Sequence, residues 1–199
     1  MQIGVLALQG DFAKHMNAIS ALGVMCREIK TADELQRCDG LILPGGESTS
    51  MRLQISSEGL QTPLLRFSQT KPVFGTCAGL ILMAKELLVF GRVVTHPLGW
   101  LDITVERNGY GRQIASFREP LPLLPPLPQA TVPAIFIRAP CVRRVGERVI
   151  VLAKRGEEPV FLQQGMHLAS AFHPELTEDR TMHRYFLDLV QRCRSSGVT

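Results

Sequence analysis

One short segment limits what this chain can become. Pro72-Val73-Phe74 reads as an apolar strand that runs into Gly75-Thr76-Cys77-Ala78-Gly79, and a helix-forming run from Ala78 to Leu88 follows. A strand that turns sharply into a helix strains the residue at the corner, and the residues two positions to either side must lack bulk for the turn to close. Gly75 and Gly79 meet that need and put a sulfur at the corner. The same placement sets Cys77 beside a helix N-terminus, whose partial positive charge favours thiolate over thiol. Five residues of this pattern also describe an ordinary buried cysteine at a strand end, so a nucleophile here requires a base elsewhere in the chain.

The surroundings repeat the strand-then-helix order. Ile3 to Leu8 is a continuous apolar run followed by helical spacing from Phe12 to Leu22, and Gly40 to Leu43 precedes Ser48 to Ile55 in the same way. Such alternation predicts a parallel sheet with helices on both faces. After Gly91 the texture changes. Leu101 to Val105, Thr131 to Ile137, Val149 to Leu152 and Val160 to Leu162 are strand-like with few helical patterns between them, which predicts a partly antiparallel half. Prolines at 120, 122, 125, 126 and 128 exclude a helix or a central strand there and point to an extended surface loop rather than a PxxP ligand. The last strand, Leu168 to Phe172, ends at His173-Pro174-Glu175, and Asp179 to Cys193 reads as a closing amphipathic helix with Tyr185, Phe186, Leu189 and Val190 inward.

Composition sets the outer bounds. With 199 residues, 45% of them hydrophobic, the chain is expected to form one domain over residues 1–199. A net charge of +4, with basic and acidic residues interspersed, implies no nucleic-acid partner. Met1 to Leu8 is apolar but reaches Gln9, Gly10 and Asp11 too soon for a signal segment or a membrane span, so the cytoplasm is the expected location. Five cysteines with no CxxC pair suggest neither a disulfide framework nor a zinc site, and no metal or cofactor is expected.

The base is found at the other strand end. His173 follows a strand, and ligand sites of parallel sheets lie at the carboxyl ends of their strands. It can accept the thiol proton and return one to a leaving amine, while Glu175 holds the imidazole in the required tautomer. Pro174 biases His173 towards an extended conformation. An isolated histidine at a strand end is more often structural, but none of His15, His96, His167 and His183 has a carboxylate two residues on after a strand. His15 and His183 fall on helices and His96 and His167 in turns, and these four are read as structural. Leu43-Pro44-Gly45-Gly46-Glu47-Ser48 supplies a third strand end, where bare backbone N–H groups can approach a ligand. Donors from Gly46 and Ala78 would form an oxyanion hole worth a few kcal/mol each. The G-x-x-x-x-G-K pattern of a phosphate loop is absent, and a plain turn with Ser48 as helix N-cap leaves the two glycines unexplained.

Together these motifs resemble the class I, triad-type glutamine amidotransferases. Gly4 to Gly10, Leu43 to Thr49, Arg107-Asn108-Gly109-Tyr110-Gly111-Arg112-Gln113, Phe136-Ile137-Arg138-Ala139-Pro140 and Phe172 to Thr177 resemble, within that class, the glutaminase subunits of two-component pyridoxal 5'-phosphate synthases. The similarity runs from about Ile3 to Val190. It implies a flavodoxin-like three-layer α/β sandwich with a mixed, largely parallel central sheet. It implies Cys77, His173 and Glu175 as catalytic triad, and L-glutamine held by Gly46, Glu47, Ser48, Arg107, Ile137 and Arg138. An arginine and a glutamate suit the carboxylate and ammonium of a free amino acid. The resemblance further implies a (β/α)8 synthase partner in a large heteromeric complex, with the oxyanion loop near Gly46 and Gln9 ordered by docking. Leu87 to Leu98 and Pro120 to Pro128 follow no motif of that family. A glutaminase serving a synthase of histidine, purine or anthranilate biosynthesis is the first rival. A non-catalytic glutamine sensor is the second, and a sensor needs no nucleophile.

Overall fold

The computed structural model describes residues 1–95, 98–107, 109 and 116–196. The first half alternates as expected: β1 (Gln2–Leu6), α1 (Phe12–Ser20), β2 (Met25–Ile29), α2 (Ala32–Gln36), β3 (Gly40–Leu43), α3 (Ser48–Ser57), α4 (Gln61–Thr70), β4 (Val73–Thr76) and α5 (Ala78–Met83). The second half is mostly strand: β5 (Ala84–Val89), β6 (Arg92–Thr95), β7 (Leu101–Glu106), β8 (Ser116–Pro122), β9 (Thr131–Ile137), β10 (Cys141–Val145), β11 (Ile150–Arg155), β12 (Glu158–Gln164) and β13 (His167–Ser170), closed by α6 (Thr181–Ser195).

The central sheet has seven strands in the order β11-β12-β13-β4-β3-β1-β2. Its members from β13 to β2 pair in parallel, and β11 and β12 add antiparallel at one edge. The buried runs of β1, β3 and β4 explain why these strands lie inside the sheet: nearly every residue in them is withdrawn from water on both faces. Side chains alternate across β4. Phe74 meets Phe186 of α6 and His15 of α1 on one face, whereas a Cβ at Gly75 would point at Met83 of α5 on the other. Gly40 lets α6 lie close on β3, because a Cβ there would stand 2.6 Å from Val190. The closing helix buries Met182, His183, Phe186, Leu187, Leu189 and Val190, with Tyr185 half-buried. No helix among the described residues is long and apolar enough to cross a membrane.

Two expectations are corrected. The helix expected from Ala78 to Leu88 stops at Met83, and Ala84–Val89 is β5, paired in parallel with β7 and antiparallel with β6. Phe90 and Gly91 both have positive φ, the geometry of a tight two-residue hairpin turn whose twist matches the flanking strands. Tertiary pairing thus overrides an apolar pattern that a helix would also accommodate. The proline-rich stretch is not wholly a surface loop. Its first residues belong to β8, where Pro120 faces Pro133 and Pro122 faces Thr131 across a two-stranded sheet with β9. Two facing prolines fit only a pair that exchanges no hydrogen bonds, so the ladder loses nothing there. Leu121, Leu123 and Leu127 then enter the core, and Leu124 N–H donates to Leu152 O.

The strand-to-helix turn at Cys77 leaves no room at its flanking glycines. A Cβ on Gly79 would lie 2.1 Å from the backbone oxygen of Leu43. Gly79→Ala is therefore expected to destabilise the chain by about 2 kcal/mol or more. Urea unfolding would register this as a lower midpoint with an unchanged slope; a midpoint equal to wild type would show that the turn tolerates the methyl group.

Candidate active site

Three strand ends meet at Cys77. The residue follows β4 with φ 49° and ψ −100°, a left-handed conformation that a non-glycine residue rarely adopts. Its N–H donates to Ser170 O of β13 at 2.8 Å, and its Sγ lies 3.9 Å from Ile137 O at the end of β9. The chain leaving β13 is pinned in turn, since His173 N–H donates to Ile135 O at 2.8 Å. A single 3-10 turn, Pro174–Leu176, then folds Glu175 back onto the imidazole. Glu175 Oε1 sits 2.7 Å from His173 Nδ1, which leaves Nε2 free to serve Cys77. Burial alone would push the His173 pKa down. The bonds to Cys77 and Glu175 outweigh it and raise the pKa to about 10. Burial pushes Glu175 up, but His15 and His173 outweigh it and hold this carboxylate below its ordinary range.

The remaining cysteines differ. Burial raises the thiols of Cys26 and Cys38 to about 11 and that of Cys141 to about 12, and it also pushes Cys193 up. None of them has an imidazole hydrogen-bonded to it among the described residues.

The loop after β3 covers the nucleophile. A Cβ on Gly45 would stand 2.4 Å from His173 Cε1 and 3.5 Å from Cys77 Cβ, so only glycine lets the loop pass. Gly45, one of the two adjacent glycines of the loop motif, thus has a steric role of its own beside His173 and Cys77. A second loop clamps the first: a Cβ on Gly10 would strike Gly45 O at 1.8 Å, and Gln9 Oε1 accepts from Glu47 N–H at 3.2 Å. Gly46 itself has φ +153°. Ala78 begins α5, where a first-turn N–H has no carbonyl partner within the helix.

The expected substrate residues line one cavity of about 550 Å³, which contains Gly46, Glu47, Ser48, Arg107, Ile137 and Arg138 as well as Cys77 and His173. A slightly smaller cavity of about 380 Å³ lies behind Glu175, away from the sulfur. Glu47, not Ser48, caps α3: its carboxylate accepts from Thr49 N–H at 3.0 Å and from Ser50 N–H at 2.7 Å. Burial is the largest single influence and opposes ionisation, but the combined bonds from Ser50 and Thr49 outweigh it and bring its pKa to about 2. Arg107 donates to Thr49 Oγ1 at 2.9 Å and lies 3.6 Å from Glu47 Oε1. Arg138 has φ +44°, a second strained backbone at the rim. Asn108, Tyr110, Gly111, Arg112 and Gln113 of the Arg107 motif lie outside the described residues, as does His96.

A turn-borne cysteine, a histidine and a carboxylate at strand ends of a mixed α/β sheet define a class of protein, the triad-type glutamine amidotransferases. A solved structure titled a glutamine amidotransferase superposes with a TM-score of 0.88 at 43% identity, covering 95% of this chain and 98% of the other. The model of the SNO glutamine amidotransferase family matches residues 5–192, and the chain belongs to that family. Among its relatives is the pyridoxal 5'-phosphate synthase subunit PdxT of Brevibacillus brevis, 46% identical over 98% of this chain and all of the relative. That of Thermus thermophilus is 47% identical over 94% of this chain and 97% of its own.

The raised His173 pKa has a consequence for stability. A group that binds its proton more tightly when folded stabilises the fold fully below its unfolded pKa, near 6.5, and loses that contribution as pH rises towards about 10. The stability difference between wild type and His173→Gln, followed by urea unfolding, is expected to shrink from about pH 6.5 to about pH 10. A difference that stays flat across that window would mean that the imidazole is not held as a cation.

Proposed function

We propose that Cys77, His173 and Glu175 form the glutaminase centre of this chain, read as a single amidotransferase domain spanning residues 1–199. The chain is the glutamine amidotransferase subunit of a pyridoxal 5'-phosphate synthase, as the name of its relatives states for them. The observation that carries the site reading is that Cys77 and His173 line one open cavity while Glu175 Oε1 sits 2.7 Å from His173 Nδ1 behind it.

His173 keeps the proton of Cys77 on Nε2 as an imidazolium paired with the thiolate, and the thiolate attacks the side-chain amide carbon of L-glutamine. Charge gathers on the amide oxygen, which the N–H of Ala78 and, once docking has completed its loop, that of Gly46 stabilise. Collapse of this intermediate expels ammonia, to which the His173 imidazolium gives its proton, and leaves a glutamyl thioester. Water, deprotonated by the same imidazole, then releases glutamate and restores the thiol. Glu175 keeps Nδ1–H directed towards itself throughout and offsets the positive charge on the ring. The substrate carboxylate suits Arg107, and Ile137, Arg138, Glu47 and Ser48 complete the binding site. Ammonia passes to a (β/α)8 synthase subunit within a large heteromeric complex in the cytoplasm, and docking completes the loop at Gly46.

Glutamate release measured with and without the synthase subunit tests this. Cys77→Ala is expected to abolish release yet preserve docking, and His173→Asn to behave alike. Cys26→Ala and Cys141→Ala should turn over near the wild-type rate. Undiminished activity in Cys77→Ala would sink the catalytic assignment. Stimulation by a different ammonia acceptor, with no binding to the pyridoxal-phosphate synthase, would move the chain to another pathway and leave the triad intact.

A further inference from the structure

Behind the three residues just assigned lies a second set of polar side chains that the reaction does not use. His15 of α1 and His183 of α6 are fully withdrawn from solvent and packed against the ring of Phe74 on β4. His15 Nδ1 lies 3.1 Å from His183 Nε2, and His15 Nε2 lies 3.0 Å from Thr76 Oγ1 and 3.4 Å from Glu175 Oε2. Glu175 Oε2 has no hydrogen-bond partner among the described residues, and His15 Nε2 is the polar atom that approaches it. Each carboxylate oxygen of the triad thus faces one imidazole, His173 on one side and His15 on the other.

Only one arrangement of protons fits. Burial drives both inner histidines towards the neutral form. For His15, burial outweighs the opposing pull of Glu175 and of Asp11, and His173 adds to it. For His183, burial together with His15 and Arg180 outweighs Glu175 and lowers its pKa to about 3. A neutral ring has one N–H. If His15 carried it on Nδ1, the bare lone pair of Nε2 would face the Glu175 carboxylate, and His183 would keep a buried N–H on Nδ1, which has no partner among the described residues. With the proton on Nε2, His15 donates towards Thr76 and Glu175 and accepts from His183 Nε2–H. Of the two rings, the atom left unpaired is then a lone pair on His183 Nδ1, which costs less than an orphaned donor.

We propose that His15 and His183 are positioning residues for the glutaminase reaction: His183 fixes the tautomer of His15, and the His15 Nε2–H holds the second oxygen of Glu175, keeping that carboxylate anionic and aimed at His173. This rests on the triad reading above. While His173 holds the Cys77 proton, its charge is balanced by a carboxylate with no access to water, and a buried carboxylate without polar partners is prone to take up a proton instead. The N–H dipole of neutral His15 opposes that uptake at the oxygen that His173 does not occupy. Leucine or phenylalanine would fill the same space among Phe74 and Phe186 without the desolvation cost of an imidazole, so packing alone does not account for two histidines here.

Glutamine hydrolysis across pH, with the synthase subunit present, tests this in wild type, His15→Leu, His183→Leu and His183→Gln. Each leucine variant is expected to lose kcat by about 10- to 100-fold, the range for a lost hydrogen bond to a charged group. KM for glutamine should hold, because neither histidine lines the substrate cavity. The acid limb of kcat/KM should move to higher pH as Glu175 becomes easier to protonate. His183→Gln, which keeps a donor near the position of Nε2, should recover most of the loss. In the wild-type chain, long-range 1H–15N spectra should give both His15 and His183 as Nε2–H tautomers. A folded His15→Leu with wild-type kcat and acid limb would overturn the proposal, as would an Nδ1–H tautomer at His15. A His183→Leu defect that His183→Gln leaves unrepaired, with an unmoved pH profile, would do the same. Should His15→Leu not fold, the His183 pair and the spectra decide. Absence of glutamate release by the wild type with its synthase would fail the triad reading and this inference together, whereas normal release indifferent to both histidines fails the inference alone.

Discussion

The backbone hydrogen bond from Cys77 N–H to Ser170 O, 2.8 Å long, is the contact on which the rest of the site depends. It continues the parallel ladder in which Phe74, Gly75 and Thr76 of β4 face Leu168, Ala169 and Ser170 of β13. Adjacent strands stand about 4.8 Å apart, so two chains leaving them at the same level deliver a thiol and an imidazole within reach of each other. Register matters as much as spacing. A slip of one residue would turn Phe74 away from the helix face it fills and bring Gly75 there instead, so the packing that orders the core also fixes the site. The strained φ of Cys77 persists because the ladder on one side and the glycine-limited contact between α5 and β3 on the other leave no alternative path.

Placing a carboxylate in that setting creates an electrostatic problem. The Glu175 side chain is fully buried, and an unpaired anion there would be strongly disfavoured. The fold answers by surrounding it with nitrogen: His173 on Oε1 and His15 near Oε2. The same low dielectric that makes burial costly strengthens each of these contacts, so the His173 proton is held far more tightly than in water. The groups come from three places in the chain, α1, the turn after β13 and α6, and they meet only because both helices lie on one face of β4.

Much of this was legible in the sequence, and the exceptions share a cause. β3, β4 and β13 are short apolar runs whose ends lead into Gly46, Cys77 and His173-Pro174-Glu175, so these four residues could be found by local pattern. β5 could not, because Leu87 and Leu88 continue an apolar pattern that suits a helix until pairing with β7 decides otherwise. β2 escaped notice for a different reason. It is an edge strand with Met25 exposed and Arg27 and Glu28 within it, and an edge needs no apolar alternation. Facing prolines in β8 and β9 hid a strand whose compatibility depends on its partner. His15 lies 160 positions from Glu175, and nothing local marks a helical histidine whose partner is that remote.

The substrate cavity is built from contacts that are each weak enough to exchange. Glu47 caps α3 firmly through two backbone N–H groups, yet its approach to Arg107 is a partly exposed ion pair at 3.6 Å, a kind of contact worth at most about 1 kcal/mol. Arg107 also holds Thr49 Oγ1, so its side chain stays aimed at the cavity whether or not the ion pair forms. In the proposed binding mode a substrate carboxylate would take the place of Glu47 on the guanidinium at little cost, while Glu47 keeps its role as cap. In the proposed reaction the rigid parts hold Cys77 and His173, whose distances would decide a rate, and the looser polar contacts lie where the proposed amino-acid substrate would arrive and leave.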